Sequence, residues 1–532
     1  MTHLQPTLHR AWRRAVSAAC SLALVCTTVL QPALAQRAPV QQSLPALGDS
    51  DSADFTIGAE RKLGDSIMRE IRTDPDYLDD PLLLEYLHTV WDPLVAASRR
   101  LGNITSDIDQ RFAWEPFLVR DPEVNAFALP GGFVGVNLGL IALTSSRDEL
   151  ASVLGHEMSH VTQRHIARSL TANSRRSLVS LAALILGVLA ASRSSNPDAI
   201  NAVVASTQAA TLQGQLNFSR DVEREADRVG FQVMTAAGYA PGGMASMFEK
   251  MDASMRLNDF GGFPYLRTHP LTVERIGEAR ARAGVVTAAP RVSVLEHVTA
   301  QARARVLMDP RVDALRRWQG RDVDLEGSAS ERLLNACESA QASSLLRDWA
   351  RADASFARAL GVVRGSPASS ARAERAVVLM QAQSMLDRGA PAKAAEAMKP
   401  YAAESSRPVL LLSAQIALAE TPAVTPDSVA LKAHAGDLQT WVALHGDDAL
   451  AWSALGQTWA RLGVPLRSLR AEAESRYALG DLLGAVDRLR AGQRFARSGG
   501  PVDFIDASVI DSRLRDIEVQ RKQIEADHRA QR

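Results

Sequence analysis

The chain has 532 residues, and its 60 Lys and Arg side chains balance its 60 Asp and Glu side chains, so the formal net charge is zero. This balance, without basic patches interleaved with aromatic residues, argues against nucleic-acid binding. The length exceeds that of one typical domain and predicts more than one.

The N-terminal residues have the pattern of a signal peptide. A short basic stretch precedes an apolar run from Ala15 to Leu30, and Ala33-Leu34-Ala35 follows as a cleavage site. Residues 1–35 therefore predict export to the bacterial periplasm with cleavage after Ala35, and an uncleaved membrane anchor is the alternative. Residues 36–54, rich in Gln, Pro, Ser and Asp, predict a flexible linker.

The stretch from Asn125 to Leu143 predicts a turn and a strand. Pro130-Gly131-Gly132 is typical of a tight turn, and the residues from Phe133 to Asn137 favour a short strand. If this strand lies exposed at the edge of a sheet, it can pair with an extended peptide substrate. The alternative is a buried hairpin without a role in substrate binding.

The residues His156-Glu157-Met158-Ser159-His160 form an H-E-x-x-H motif, and Ser145-Ser146 before it supplies candidate helix caps. Histidines four apart lie on one face of a helix, so both imidazoles can bind one ion. Zn²⁺ in a catalytic site takes three protein ligands and lowers the pKa of its bound water, from which Glu157 can take a proton. The alternative is a helix with two unrelated surface histidines.

The positions after the motif limit the class of zinc enzyme. A metzincin requires a glycine at position 163 and a histidine at position 166, but the chain has Gln163 and Ile166. His165 is one residue from that spacing. On a continuous helix it would project about 140° away from His160, which predicts a surface residue or an outer contact of the site.

The segment from Leu178 to Ala191 is a run of apolar and small residues. It is about 14 residues long, whereas a membrane-spanning helix needs about 20. A buried helix or lid is the favoured interpretation, and peripheral membrane contact or a true span are the alternatives.

A third ligand is predicted in the charged segment Ser219–Asp227. Glu223 and Asp227 are four residues apart and lie on one helix face. Glu223 can bind the metal, and Asp227 can accept the N–H of a ligand histidine and so fix its tautomer. Glu225 points away from this face and is expected to make surface contacts.

His269 precedes Pro270, which favours an extended loop. It can stabilise an oxyanion during catalysis, or it can occupy the open zinc position until a substrate displaces it. A loop histidine without either role is the third interpretation. Arg275, six residues later, is expected to hold this loop.

Taken together, the chain resembles the gluzincin-type metallopeptidases that include the HtpX heat-shock protease and the CAAX prenyl protease, most closely their periplasmic BepA-like branch. The resemblance rests on four stretches, which are Asn125–Gly132, His156–His160, Ser219–Asp227 and Thr268-His269-Pro270. It implies an α+β metallopeptidase domain with a short edge sheet over residues 55–300. It also implies one Zn²⁺ per chain, held by His156, His160 and Glu223, with Glu157 as the base.

Residues 305–500 predict a mainly α, tetratricopeptide-like repeat domain, so the fold class is mainly α overall. The segment Trp452–Trp459 with Gly463 fits the opening of such a repeat, and two weaker echoes follow the same pattern, at Tyr477, Gly480 and Ala485 and at Gly389 and Ala394. Helical repeats form concave surfaces that bind proteins, and a plain helical bundle is the alternative. Residues 501–532 predict a charged, solvated helical tail.

These features predict a periplasmic zinc endopeptidase that degrades misfolded or unassembled outer-membrane proteins in assembly quality control. The repeat domain would deliver clients and contact the assembly machinery, with at most peripheral membrane contact. The alternative is a chaperone or scaffold of outer-membrane assembly whose zinc site is silenced or tightly gated. A prenyl-type membrane protease would need several spans of about 20 residues, and none is predicted beyond the signal.

Overall fold

The computed structural model describes residues 56–171, 186, 220–257, 265–266, 269–285, 295–323, 326–366, 371–498 and 503–529. The predicted signal peptide, the linker and all of the segment from Leu178 to Ala191 except Leu186 lie outside these residues. Within the described ranges, every helix is too short or too polar to cross a bilayer.

The N-terminal part of the described chain combines ten helices with four short strands. The helices are α1 Ile57–Ile71, α2 Pro81–Arg100, α3 Ser106–Arg111, α4 Leu138–Leu143, α5 Arg147–Thr162, α6 His165–Thr171, α7 Arg220–Ala236, α8 Gly242–Leu257, α9 Val273–Val285 and α10 Leu295–Leu307. The strands are β1 Tyr77–Leu78, β2 Glu115–Val119, β3 Ala126–Leu129 and β4 Phe133–Asn137.

The four strands form one sheet in the order β1-β2-β4-β3. Strand β4 pairs in parallel with β2, with Glu115 opposite Phe133, and antiparallel with β3, with Ala126 opposite Val136. The predicted strand at Phe133–Asn137 is confirmed, but it is buried along its whole length and lies inside the sheet. The expectation that it forms the edge is wrong, because β2 covers one side of it and β3 is the edge strand.

Helix α5, which carries the H-E-x-x-H motif, passes through the core. The Ser146 side chain caps it by accepting a hydrogen bond from the Glu149 amide. Every residue from Glu149 to Thr162 is buried, so the helix packs on all sides and not on one apolar stripe alone. It ends at Thr162, and after Arg164, which has a φ of 52°, a separate helix begins at His165.

The C-terminal part of the described chain is helical throughout. Its helices are α11 Val312–Trp318, α12 Ala329–Leu345, α13 Trp349–Arg364, α14 Ala371–Asp387, α15 Pro391–Met398, α16 Arg407–Glu420, α17 Val429–Leu444, α18 Ala449–Arg461, α19 Pro465–Ala478, α20 Leu482–Arg497 and α21 Phe504–Arg529, with 3-10 turns at Arg321–Val323 and Lys399–Tyr401. The predicted fold class, a mainly α chain with a small sheet in its metallopeptidase part, is confirmed. The division into tetratricopeptide-like repeats and the predicted domain bounds stay predictions.

Neighbouring helices of this part share buried apolar side chains. Phe356 of α13 packs in one such cluster, and Trp452 of α18 packs in another. Helix α21 buries Ile510, Leu514 and Ile517 against preceding helices. The predicted tail is therefore helical, and one of its faces packs on the preceding helices, which the prediction of a solvated helix does not include.

Helix α10 joins the two parts. Its Ala300 and Ala304 belong to the core around α5, while Val298 and Ala302 belong to the core of the following helices. Arg303 of α10 forms an ion pair of 2.6 Å with Asp80, the capping residue of α2, and also donates to Gln341 of α12 at 3.1 Å, which connects the two parts. The helical part is thereby packed directly against the part that carries the motif.

Candidate metal centre

Four side chains that the sequence predicts for the site converge at one point. His156 and His160 come from α5, Glu223 comes from the first turn of α7, and His269 comes from the loop before α9. One ligand atom from each lies within 4.8 Å of every other, and all four residues are buried. The structure therefore brings together the three predicted zinc ligands and the loop histidine.

The spacing of the ligand atoms fits a tetrahedral ion. The Nε2 atoms of His156 and His160 are 3.0 Å apart, and the Glu223 carboxylate lies 3.5 Å from each of them. The Nδ1 atom of His269 lies 3.3 Å from His156 Nε2 and 3.0 Å from Glu223 Oε1. A tetrahedral zinc site with bonds of about 2.0–2.1 Å has ligand atoms about 3.3 Å apart. Three imidazoles and one carboxylate also match the ligand types that zinc takes.

A close helix crossing sets this geometry. Gly155 of α5 and Gly230 of α7 face each other, and a β-carbon on Gly230 would lie 2.9 Å from the Gly155 carbonyl carbon and from the His156 nitrogen. Because neither residue has a side chain, the two backbones approach closely. The crossing places Glu223, two turns before Gly230, beside the two histidines of α5.

Asp227 orients His156, as the sequence predicts. Its Oδ1 lies 3.0 Å from His156 Nδ1, so the opposite ring nitrogen of His156 faces the other ligand atoms. Arg275 donates to both oxygens of Asp227, at 2.7 and 2.8 Å. Burial opposes the ionisation of Asp227, but these hydrogen bonds outweigh it and lower the pKa of Asp227, so this side chain is a carboxylate.

Arg275 also holds the His269 loop, as expected. It donates to the Pro270 carbonyl at 2.9 Å, and it lies 2.8 Å from Glu223 Oε2. One buried guanidinium thus connects the loop histidine, the carboxylate ligand and Asp227. The sequence predicts only the first of these contacts.

Glu157 lies between the ligand cluster and the edge strand β3. Its Oε2 accepts a hydrogen bond of 3.1 Å from the Ala128 amide. Its Oε1 is buried, has no hydrogen-bond partner among the described residues and lies 3.7 Å from His269 Nε2. Burial raises the pKa of Glu157. A carboxylate oxygen that accepts no hydrogen bond from the described residues, and that lies beside a cluster able to hold a metal ion, is well placed to accept a proton.

Of the two predicted places for His165, a surface position and an outer contact of the site, the structure shows the second, with Glu225 next to it. His165 is 2% exposed, and its Nδ1 lies 3.0 Å from His160 Nδ1. Its Nε2 lies 3.1 Å from Glu225 Oε2, so Glu225 does not simply face solvent. The prediction assumes one continuous helix, whereas the break at Arg164 turns His165 back towards His160. Burial lowers the pKa of His165 to about 4, and the ring is neutral at neutral pH.

Residues 90–283 match the family model of peptidase family M48. This part of the chain is therefore similar to the peptidases of that family. The beta-barrel assembly-enhancing protease of Escherichia coli (strain K12) is 34% identical over 266 residues, which are 49% of this chain and 52% of the relative. The protein of the same name from Yersinia pestis is 34% identical over 267 residues, or 50% and 52% of the two chains.

A more distant relative is the mitochondrial metalloendopeptidase OMA1 of Saccharomyces cerevisiae. It is 28% identical over 247 residues, which are 45% of this chain and 66% of the relative. The chain spans about half the length of the beta-barrel assembly-enhancing proteases that it matches. The predicted resemblance to BepA-like metallopeptidases is confirmed, and residues 90–283, which match the family model, include all four side chains of the cluster.

Proposed function

We propose that the part of the chain similar to family M48 is a zinc endopeptidase in which His156, His160 and Glu223 bind the metal and Glu157 is the general base. The observation that carries this proposal is the buried Glu157 Oε1 at the edge of the ligand cluster, which has no hydrogen-bond partner among the described residues. A bound Zn²⁺ would supply a water of lowered pKa and polarise the scissile carbonyl.

The side chains of the site have separate tasks in this proposal. Glu157 takes a proton from the attacking water at Oε1 and passes it to the leaving amine, while the Ala128 amide holds its other oxygen. Asp227 and Arg275 fix the ring of His156. Strand β3, the sheet edge beside Glu157, pairs with the extended substrate.

His269 holds the enzyme off until a substrate displaces it. Its Nδ1 lies among the ligand atoms of His156 and Glu223, where a fourth ligand would be. The His269 ring is 3% exposed and Glu223 is 1% exposed, so the cluster is closed to solvent with His269 in this position. This position supports the role of a cap over that of an oxyanion donor.

The substrates are misfolded or unassembled outer-membrane proteins in the periplasm, delivered by the helical C-terminal part. The printed name of the Escherichia coli and Yersinia pestis relatives, beta-barrel assembly-enhancing protease, supports this substrate class. The signal-peptide pattern of residues 1–35 supports the compartment. Mass spectrometry of the protein purified from periplasm tests the compartment and the cleavage, since the mature chain should begin at Gln36.

The burial of the site favours a second candidate function. A chaperone or scaffold of outer-membrane assembly would keep the M48 fold while its zinc site stays gated. The two candidates differ in whether any condition yields peptide-bond hydrolysis that depends on Glu157.

The deciding experiment compares the parent with Glu157→Gln on casein, with and without a chelator. The variant keeps the shape of the side chain and all metal ligands but cannot accept the proton. We expect a loss of about 10²- to 10⁴-fold in kcat/KM with zinc still bound. Equal activity in all samples would exclude the proposal that this protein is a zinc endopeptidase.

His269→Ala separates the roles of the loop histidine. As a cap, its removal raises casein hydrolysis and weakens zinc binding, since one ligand is lost. As an oxyanion donor, its removal lowers hydrolysis. If the variant hydrolyses casein at the same rate as the parent, His269 has neither of these roles.

A further inference from the structure

In the H-E-x-x-H motif, the outer nitrogen of His156 meets the Asp227 carboxylate, whereas that of His160 meets a second imidazole. Its Nδ1 lies 3.0 Å from Nδ1 of His165, and Nε2 of His165 lies 3.1 Å from Glu225 Oε2. The side chains of His160 and His165 are both 0% exposed. A second imidazole is therefore inserted between the predicted zinc ligand and a carboxylate.

The positions of the protons follow from the geometry. His160 Nε2 faces the other ligand atoms, so the tautomer that binds a metal carries its proton on Nδ1. This N–H donates to His165 Nδ1, which is then the acceptor nitrogen of its ring. His165 carries its own proton on Nε2 and donates it to Glu225. Each of the two hydrogen bonds thereby holds one proton, and both rings stay neutral.

The backbone around His165 is built to keep it there. Arg164 has a φ of 52°, a left-handed conformation that a non-glycine residue rarely adopts, and this turn brings His165 back against His160. An ion pair of 2.9 Å between Arg164 and Glu60 of α1 anchors the turn. The Glu60 side chain is 3% exposed, so the anchor lies in the interior.

We propose that His165 and Glu225 are positioning residues that fix the tautomer and ring orientation of the zinc ligand His160, as Asp227 does for His156. The proposal rests on the zinc site proposed above. Outer partners of this kind change metal affinity or activity by about 10- to 100-fold when they are removed.

The test measures zinc affinity by competition with a chromophoric chelator. His165→Leu removes the acceptor for His160 and keeps the bulk of the side chain, and we expect zinc affinity to fall about 10- to 100-fold. His165→Asn places an amide oxygen where Nδ1 was, and we expect affinity close to that of the parent. Glu225→Leu should weaken binding, whereas Glu225→Gln keeps an acceptor oxygen and should not.

Arg168→Gln is the matched control. Arg168 bonds to Glu225 at 3.1 Å from the solvent side, and its side chain is 47% exposed. It does not lie on the path of the protons from His160 to Glu225. We expect its replacement to leave zinc affinity unchanged.

A second readout separates positioning from structural support. In the Co²⁺-substituted protein, His165→Leu should shift the visible absorption bands, which report ligand geometry, while His165→Asn should restore them. Parent-like zinc affinity in His165→Leu would overturn the proposal. Equal losses in the Leu and Asn variants, with equally lowered urea midpoints of the metal-free proteins, would overturn it as well.

The outcome is independent of the proteolysis experiment. If the parent binds zinc but casein cleavage does not depend on Glu157, the proposed function fails while the affinity series still decides the role of His165. If Glu157 proves essential and the His165 variants bind zinc as the parent does, only the positioning proposal fails.

Discussion

Replacing Gly230 with alanine should damage the metal centre without touching any ligand. The added β-carbon would lie 2.9 Å from the Gly155 carbonyl carbon and from the His156 nitrogen. Both are backbone atoms of α5, so neither can rotate away. An ordinary carbon–carbon contact is about 3.5 Å, so α7 must move away from α5 by about 0.6 Å. Zinc sites tolerate about 0.2 Å in their ligand distances. Glu223 is on α7 and the histidines are on α5. The shift between the helices would therefore move the Glu223 carboxylate away from the histidine nitrogens by more than this tolerance.

We expect Gly230→Ala to weaken zinc binding and to lower kcat/KM on casein by about tenfold or more, since a displacement of 1 Å in a site costs about 100-fold. The crowded crossing should also lower the free energy of unfolding by about 1–3 kcal/mol. Chelator competition measures the affinity, a casein assay measures the rate, and a urea titration measures the stability.

Gly277→Ala provides the control. Gly277 lies within α9, and a β-carbon there would meet nothing within 4 Å. Alanine should raise stability by about 1 kcal/mol, because it favours helix over glycine, and leave zinc affinity as it is. If Gly230→Ala binds zinc and cleaves casein like the parent, the argument that this crossing sets the ligand geometry is refuted.

Three further predictions concern stability. If the proposed zinc is bound, a chelator should lower Tm and added Zn²⁺ should restore it, because the ion binds only the folded chain; a Tm insensitive to both would contradict the proposed zinc site. Burial lowers the pKa of His297 to about 4. The unfolded chain therefore binds more protons below pH 6.5, and the free energy of unfolding should fall between pH 6.5 and 4 by up to about 3 kcal/mol. His297→Gln should flatten that part of a plot of urea midpoint against pH, and an unchanged slope would oppose this account. Arg303→Met leaves the Asp80 carboxylate buried without its partner and should lower stability by about 3–5 kcal/mol. The double variant with Asp80→Asn should recover part of that loss in the same urea titration, and no recovery would argue against the ion pair as the cause.

The parts of the site that the sequence predicts are those that a helix fixes locally. Residues four apart share a helix face whatever the rest of the chain does, so His156 with His160, and Glu223 with Asp227, can be recognised as pairs. That the two pairs meet depends on a helix crossing. No local pattern in either helix indicates this crossing. The pairs are joined beforehand by the need of a zinc ion for a third ligand and by the resemblance to known metallopeptidases.

In the sheet, a local sequence pattern predicts that a strand forms but not which strands lie next to it. The residues from Phe133 to Asn137 predict β4, but its neighbours depend on pairing with β2, a parallel partner that lies earlier in the chain. The run Phe-Val-Gly-Val has no alternation of polar and apolar residues, which is typical of a strand buried on both faces. That feature favours an interior strand, and it leaves β3 as the edge next to Glu157.

His165 marks the limit of reasoning from spacing. A projection of about 140° from His160 holds only if the helix continues, and the sequence at Gln163-Arg164 has neither the glycine nor the proline that usually marks an end. The helix stops because Arg164 adopts a left-handed conformation held by Glu60, a residue 104 positions earlier. Metal ligands must satisfy a fixed geometry, and so they leave a recognisable spacing. The residues that orient those ligands can come from any part of the fold, and only the packed structure reveals them.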